Sequence, residues 1–466
     1  LAQISEVSPR RGVSRRHRER SWRRIVRIAT GRSAMLTPRP PRRVTTVVTL
    51  LLLASTLAAC GQESSVPTLN WYINPDNGGQ AALAEKCAGQ SNGRFNIETS
   101  VLPNDATAQR EQLVRRLAAQ DESIDLMSLD PPFIPEFASA GFLRPFTDEE
   151  AAEFTNGVLE GPIEHSTWDG ELVAAPFWAN TQLLWFRKSV AQEAGINPAA
   201  GNVTWQQLIA AAERAQSTFQ IQGNRYEGYM VLISALVSSA GGQILQNPEA
   251  GKDVRPAIDS EAGQKAANVI ATLAGSGARD PAISTSDEEA GRAAFQSDRG
   301  GFMVNWPYVY GAAQEAVAAG QLDQAVVDDI GWARYPRVDA NVESQPPLGG
   351  ISIGVGAYGQ HQDLALEAVR CITSLESQTE YMIGAKNPGA RGAVYDDPEV
   401  RSIFPMADLI RESIGAAAPR PKTPYYTDVS TAVVRSFHPP TSVNPEQTPE
   451  RAASLIVNVL HDEVLL

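Results

Sequence analysis

Residues 350–354, Gly-Ile-Ser-Ile-Gly, have the G-x-S-x-G spacing by which hydrolases set a nucleophilic serine, here Ser352, on a sharp strand-to-helix turn. That turn needs an apolar strand before it and a helix just after the serine. The upstream stretch Ser344-Gln345-Pro346-Pro347-Leu348-Gly349 cannot be that strand, and the pattern runs on as a strand through Val355. Overlapping it, Gly354, Gly356 and Gly359 match the spacing of a dinucleotide loop, which belongs at the first turn of a βαβ unit. Here the match stands late in the chain, and the next helical pattern starts a few residues too far on. Glycines at a strand end more simply mark a bend where backbone approaches backbone or ligand. Glu288 and Glu289 offer a carboxylate pair for acid–base work, but adjacent helical residues face different directions, and which of the two faces inward stays open. His165, His361, His438 and His461 are scattered, and no C-x-x-C or Cys/His cluster occurs, so neither a metal nor a cofactor is expected. The chain is therefore expected not to be an enzyme. The rival reading is a secreted serine or glycoside hydrolase using Ser352 or the acidic pair.

The elements that must position any site are those of a large, multi-lobed chain. With 466 residues the chain exceeds one ordinary core. Its net charge of −13 is split: residues 1–59 carry 13 arginines and two acids, and the remainder holds 27 basic against 51 acidic side chains. An acidic body excludes the basic stripe that nucleic-acid binding requires. Within the basic segment, Met35 reads as the start. Arg39, Arg42 and Arg43 precede an apolar run over 44–57 and then Leu57-Ala58-Ala59-Cys60, the layout of a signal peptide cleaved before Cys60. The tetrad resembles the bacterial lipobox, which implies a lipid on Cys60. Residues 60–67 then form a tether from the membrane. In an oxidising compartment the remaining pair, Cys87 and Cys371, suggests one disulfide, with two free buried thiols as the alternative.

Beyond the tether, strand patterns at 69–73, 95–101 and 124–129 alternate with helical patterns at 80–88 and 107–119. This alternation predicts a parallel sheet covered by helices. The middle of the chain is helix-rich, with patterns at 205–219, 228–240, 260–274, 286–296 and 307–319 and strands at 301–305 and 330–335. A strand at 349–355 and helices at 362–374, 398–413 and 449–460 follow, with Pro405 expected to split 398–413. The pattern gives two lobes, with segments crossing between them more than once.

Several motifs then resemble one family. Ile124-Asp-Leu-Met-Ser-Leu-Asp130 with Glu136-Phe-Ala-Ser-Ala-Gly-Phe-Leu143, the run Ala174 to Phe186, Val304-Asn305-Trp306-Pro307, Leu348-Gly349-Gly350-Ile351-Ser352 and Asn387 to Val394 are similar to the extracellular solute-binding proteins of ABC importers, of the maltose-binding type. The resemblance implies an α/β, two-lobed periplasmic-binding-protein-like fold, each lobe a mostly parallel sheet flanked by helices, joined by a multi-crossover hinge. It implies lobe 1 as 68–178 plus 347–395 and lobe 2 as 179–346 plus 396–466. It further implies a lipid-anchored monomer on the extracytoplasmic face of the membrane. That monomer would pass a disaccharide, trehalose first and other α-glucosides second, to a permease with its ATPase subunits. Another polyol or a glycerophosphodiester is the second binding reading.

Such a sugar presents rim hydroxyls, gripped best by ionised groups, and apolar faces that suit an aromatic plane. On the resemblance, Asp130, Glu288 and Arg420 are the charged partners, Asn180 the amide, Trp306 the stacking plane and Gly350 a source of backbone groups, with Asn74 and Asn77 closing the rim. Trp178, Trp185, Tyr425 and Tyr426 are read as packing. Replacing Trp306 or Arg420 by alanine is expected to weaken sugar binding about ten-fold or more at nearly unchanged melting temperature.

Overall fold

The computed structural model describes residues 66–465. The stretch expected to be a signal segment, Cys60 and most of the expected tether lie outside the described residues. The strands that carry the fold are, in chain order, β1 (Thr68–Ile73), β2 (Asn96–Val101), β3 (Leu126–Leu129), β4 (Ala175–Thr181), β5 (Leu183–Arg187), β6 (Thr218–Gln220), β7 (Gly300–Asn305), β8 (Ile330–Ala333) and β9 (Leu348–Val355). They form a five-stranded sheet in the order β2-β1-β3-β9-β4 and a four-stranded sheet in the order β8-β5-β7-β6. One strand opposes the rest in each: β9 runs antiparallel to β3 and β4, and β5 antiparallel to β7 and β8. The central strands are almost continuously apolar because helices cover both faces, so no solvent side imposes alternation.

Only Gln182 separates β4 from β5, so the chain steps straight from one sheet to the other. That residue is fully buried, and its amide donates to Gln222 Oε1 at 3.1 Å, while Gln222 donates to the Val304 carbonyl at 2.9 Å. The first crossover is thus pinned to the second sheet by side-chain amides. Between β8 and β9 the chain returns to the first sheet.

Helix Gly79–Gln90 and helix Gln362–Ile372 pack on the first sheet around Leu83, Ala84, Ala365 and Val369. The bond between Cys87 and Cys371, with Cα atoms 5.7 Å apart, joins them and settles the alternative of free thiols. One helical expectation changed in detail, and another held. The pattern at 205–219 yields a helix only to Arg214, because Gln216 turns the chain with φ +51° and Thr218–Gln220 pairs with β7. Trp205 and Phe219 stack across that turn at 5.0 Å. The pattern at 398–413 is split into Pro398–Ile403 and Ala407–Gly415 on either side of Pro405, as the missing N–H requires. Among the described residues no helix is long and apolar enough to cross a membrane.

Candidate ligand-binding site

A cleft of about 350 Å³ is lined from both sheets and from the C-terminal segment. Asp130 directly follows β3 and precedes Pro131 and Pro132, which start a short 3₁₀ turn and hold the carboxylate at the strand end. Opposite it, Arg420 lies between Pro419 and Pro421. Its guanidinium is 6% exposed as a residue, and Nη2 donates to Asp130 Oδ1 at 2.6 Å while Nη1 donates to Asp130 Oδ2 at 3.3 Å and to Glu227 Oε1 at 2.8 Å. Burial opposes the guanidinium charge, but the Asp130 and Glu227 carboxylates outweigh it and hold Arg420 firmly protonated. Burial also pushes the Glu227 carboxyl up, and Arg420 with the Tyr426 hydroxyl pull it back. Glu227 further accepts from Tyr426 and from Ser430 Oγ, the latter at 2.7 Å, so both oxygens of this buried acid are hydrogen-bonded.

The other wall is built at the start of helix Glu288–Phe295, where Asp287 caps the Ala290 amide at 2.8 Å. Glu288 turns into the cleft and accepts from the Tyr226 hydroxyl at 2.6 Å. Glu289 turns outward to Arg292 at 2.8 Å, which settles which of the pair faces inward. Burial pushes the Glu288 carboxyl up, opposed by the Tyr226 hydroxyl and the Trp306 indole. Trp306 follows β7; its amide donates to Asn305 Oδ1 at 2.8 Å, and Asn305 donates to the Glu288 carbonyl at 3.0 Å. One edge of the indole lies against Gly349.

The floor is the β4–β9 pair. Gly350 has φ +124°, and a Cβ there would stand 2.3 Å from the Trp178 carbonyl, so only glycine lets β9 lie this close to β4. Asn180 is 8% exposed and its Oδ1 accepts from the Thr181 amide at 3.0 Å, which turns its amide nitrogen toward donation. Asn74 lines the cleft, with Oδ1 accepting from Gln80 at 3.2 Å.

Asp130, Asn180, Glu288, Trp306, Gly350, Arg420 and Asn74 therefore share one cleft. Asn77 does not. The Asp76 carboxylate accepts from the Gly78 amide at 2.9 Å and the Gln80 amide at 2.8 Å, a turn that leaves Asn77 exposed outside the lining. Trp178 also departs from its reading as core, since it lines the cleft, whereas Trp185 is fully buried and donates to the Asn305 carbonyl at 2.9 Å. Tyr425 and Tyr426 pack beside the cleft without lining it. Glu227, Tyr226 and Tyr308 were missed. For Glu227 the signal was available: it is the lone acid in a helix, Glu227–Ser239, that is buried almost throughout.

Ser352 sits inside β9, 3% exposed, and shares a hydrogen bond with Ser166 at 2.8 Å. No turn presents it, so the elbow geometry does not form. A Cβ on Gly356 would stand 2.1 Å from the Ile124 carbonyl, so this glycine serves backbone approach at the strand end.

Two α/β lobes joined by crossings between their sheets, one of them direct, with a cleft of carboxylate, guanidinium, amide and indole groups between the sheets, define a two-lobed binding protein. The family described as bacterial extracellular solute-binding protein matches residues 81–379, and the chain belongs to that family, whose members bind solutes rather than transform them. A probable ABC transporter-binding protein of Deinococcus radiodurans is 25% identical over 334 residues, 69% of this chain and 75% of that protein. Maltose-bound T. maritima MalE3 superposes with a TM-score of 0.73 at 24% identity, covering 85% of this chain and all of the other. A solute-binding protein from Thermotoga lettingae with bound α-D-tagatose gives 0.70 at 19% identity over 84% of this chain and all of the other.

Proposed function

We propose that this chain captures a disaccharide in the cleft and delivers it to an ABC permease and its ATPase subunits. Trehalose is the first ligand proposed and other α-glucosides follow. The observation that carries the reading is the cleft's composition: Asp130, Glu288 and Arg420 can grip hydroxyls, while the Trp306 indole offers a plane to an apolar sugar face. The volume stands at the low end of small-molecule sites, roughly 300–1,000 Å³, which suits a ligand of one or two rings. The choice of trehalose comes from segments 180–185, 304–307, 367–371 and 420–426, which resemble the mycobacterial trehalose-recycling lipoprotein LpqY. Sugars and polyols bound by structural neighbours, maltose and tagatose among them, support the ligand class.

In this reading lobe 1 (68–178 and 347–395) and lobe 2 (179–346 and 396–466) close when both touch the ligand. The chain acts as a monomer, exported by the segment before Cys60 and held at the outer membrane face by a lipid on that residue. Calorimetry with trehalose, maltose, ribitol and glycerophosphodiesters tests it. Micromolar heat with trehalose, weakened about ten-fold by Trp306→Ala, a loss of about 1.4 kcal/mol, is the expected result. Heat only with a polyol or phosphodiester would replace the ligand. Turnover of a chromogenic ester or glycoside that Ser352→Ala abolishes would overturn the transport reading.

A further inference from the structure

A second, enclosed space of about 10 Å³ adjoins the cleft, lined by Pro131, Pro132, His165, Arg420 and Lys422. Arg420 is the residue it shares with the cleft lining. His165 is 6% exposed, and neither ring nitrogen meets a polar partner among the described residues. The same is true of Arg420 Nε, although Nη1 and Nη2 are engaged by Asp130 and Glu227. Lys422 is drawn aside, donating to the Glu164 carbonyl at 2.8 Å.

Two buried polar side chains thus line one small space beside two prolines, one with a fixed donor and the other with an acceptor. A space of roughly 10–15 Å³ holds a single water, provided two or more polar groups bind it. Buried N–H groups of native proteins are almost always paired, with ordered water where protein groups do not reach.

We propose that His165 is a positioning residue for Arg420. One water in the enclosed space accepts the Arg420 Nε–H and donates to the unprotonated ring nitrogen of His165. The guanidinium then has three anchors, Asp130, Glu227 and the water, and its plane toward the cleft is fixed. Burial beside Arg420 and Lys422 keeps the imidazole neutral, as its acceptor role requires. The effect on affinity rests on the reading that Arg420 grips a sugar; the water itself does not.

The test pairs a high-resolution crystal structure of the protein with trehalose calorimetry on three variants. The expected density is one ordered water within hydrogen-bond distance of Arg420 Nε and a His165 nitrogen. His165→Phe, which removes the acceptor, weakens binding about ten-fold. His165→Asn or His165→Gln, each placing an amide oxygen near one ring nitrogen, restores it to within about three-fold of the parent, a rescue that general loss of packing would not show. No water in that space, or equal affinity in all three variants, overturns the proposal. If the parent protein binds no sugar, the transport reading falls, and the density alone decides the water. If His165→Phe does not fold, the density and the amide variants decide it.

Discussion

The two walls of the cleft hold charge in opposite ways. On one, Asp130 and Glu227 share a single guanidinium, so both carboxylates are engaged before any ligand arrives. On the other, Glu288 is half-buried against a hydroxyl and an indole, and among the described residues no cation lies within ion-pair distance of it. The first wall is a fixed frame whose members depend on one another. The second keeps a carboxylate whose partners are neutral and exchangeable, which suits a group meant to meet hydroxyls. Being a binding residue and being a structural one are therefore separable at Glu288 and inseparable at Arg420.

Arg420→Ala should show the largest effect. It strands Glu227 in the interior, and breaking a buried pair costs about 3–5 kcal/mol. The melting temperature should fall clearly along with affinity, contrary to the expectation from sequence that binding alone would suffer. An unchanged melting curve by calorimetric scanning would erase the contrast between the walls.

Next comes acid. Burial, with Arg420 and Lys422 beside it, lowers His165 to about 3 from its usual 6.5. The unfolded chain then takes up the proton first. Stability is full above about 6.5 and is lost as pH falls toward the folded value, at about 1.4 kcal/mol per unit. Between pH 6.5 and 5 this amounts to about 2 kcal/mol. Denaturant midpoints should fall over that range, and His165→Gln should lose that part of the slope. Parallel slopes for parent and variant would show the imidazole to be solvated.

The smallest effect is expected at Glu288→Gln. The folded carboxyl is raised above its usual range, so its contribution to stability is greatest at low pH and fades as pH rises through the folded value. The neutral amide removes that penalty. The variant should be at least as stable as the parent at pH 7, while sugar affinity falls by about 1 kcal/mol. A large stability loss would place Glu288 in a frame of its own.

The fold was largely legible because strands and helices alternate with clear periods, and because the run from Ala174 to Phe186 resembles a family crossover. Short elements were not: Thr218–Gln220 is too brief to show a period and was absorbed into the helix before it. In the site, Asp130 was visible as an acid at a strand end before two prolines. Trp178 was not, since Phe177 and Ala179 on either side are fully buried and make the stretch read as core. Glu227 opens an apolar helix, where an acid looks like a favourable first-turn residue. Asn77 failed for the converse reason: a turn rich in Asn and Asp fixes which residues cap and which protrude only through its hydrogen bonds.

The placement of β9 has a consequence for how the molecule is made. This strand, from residues 348–355, lies between β3 and β4, both complete by residue 181. A chain emerging N-terminus first must hold those two strands apart, their facing edges unpaired, until most of the polypeptide has appeared. Sheets closed by so distant a segment assemble slowly and expose aggregation-prone edges meanwhile. The lobe that begins first is finished late, so a ribosome or translocon stalled before residue 348 would release a fragment with an open seam through its middle.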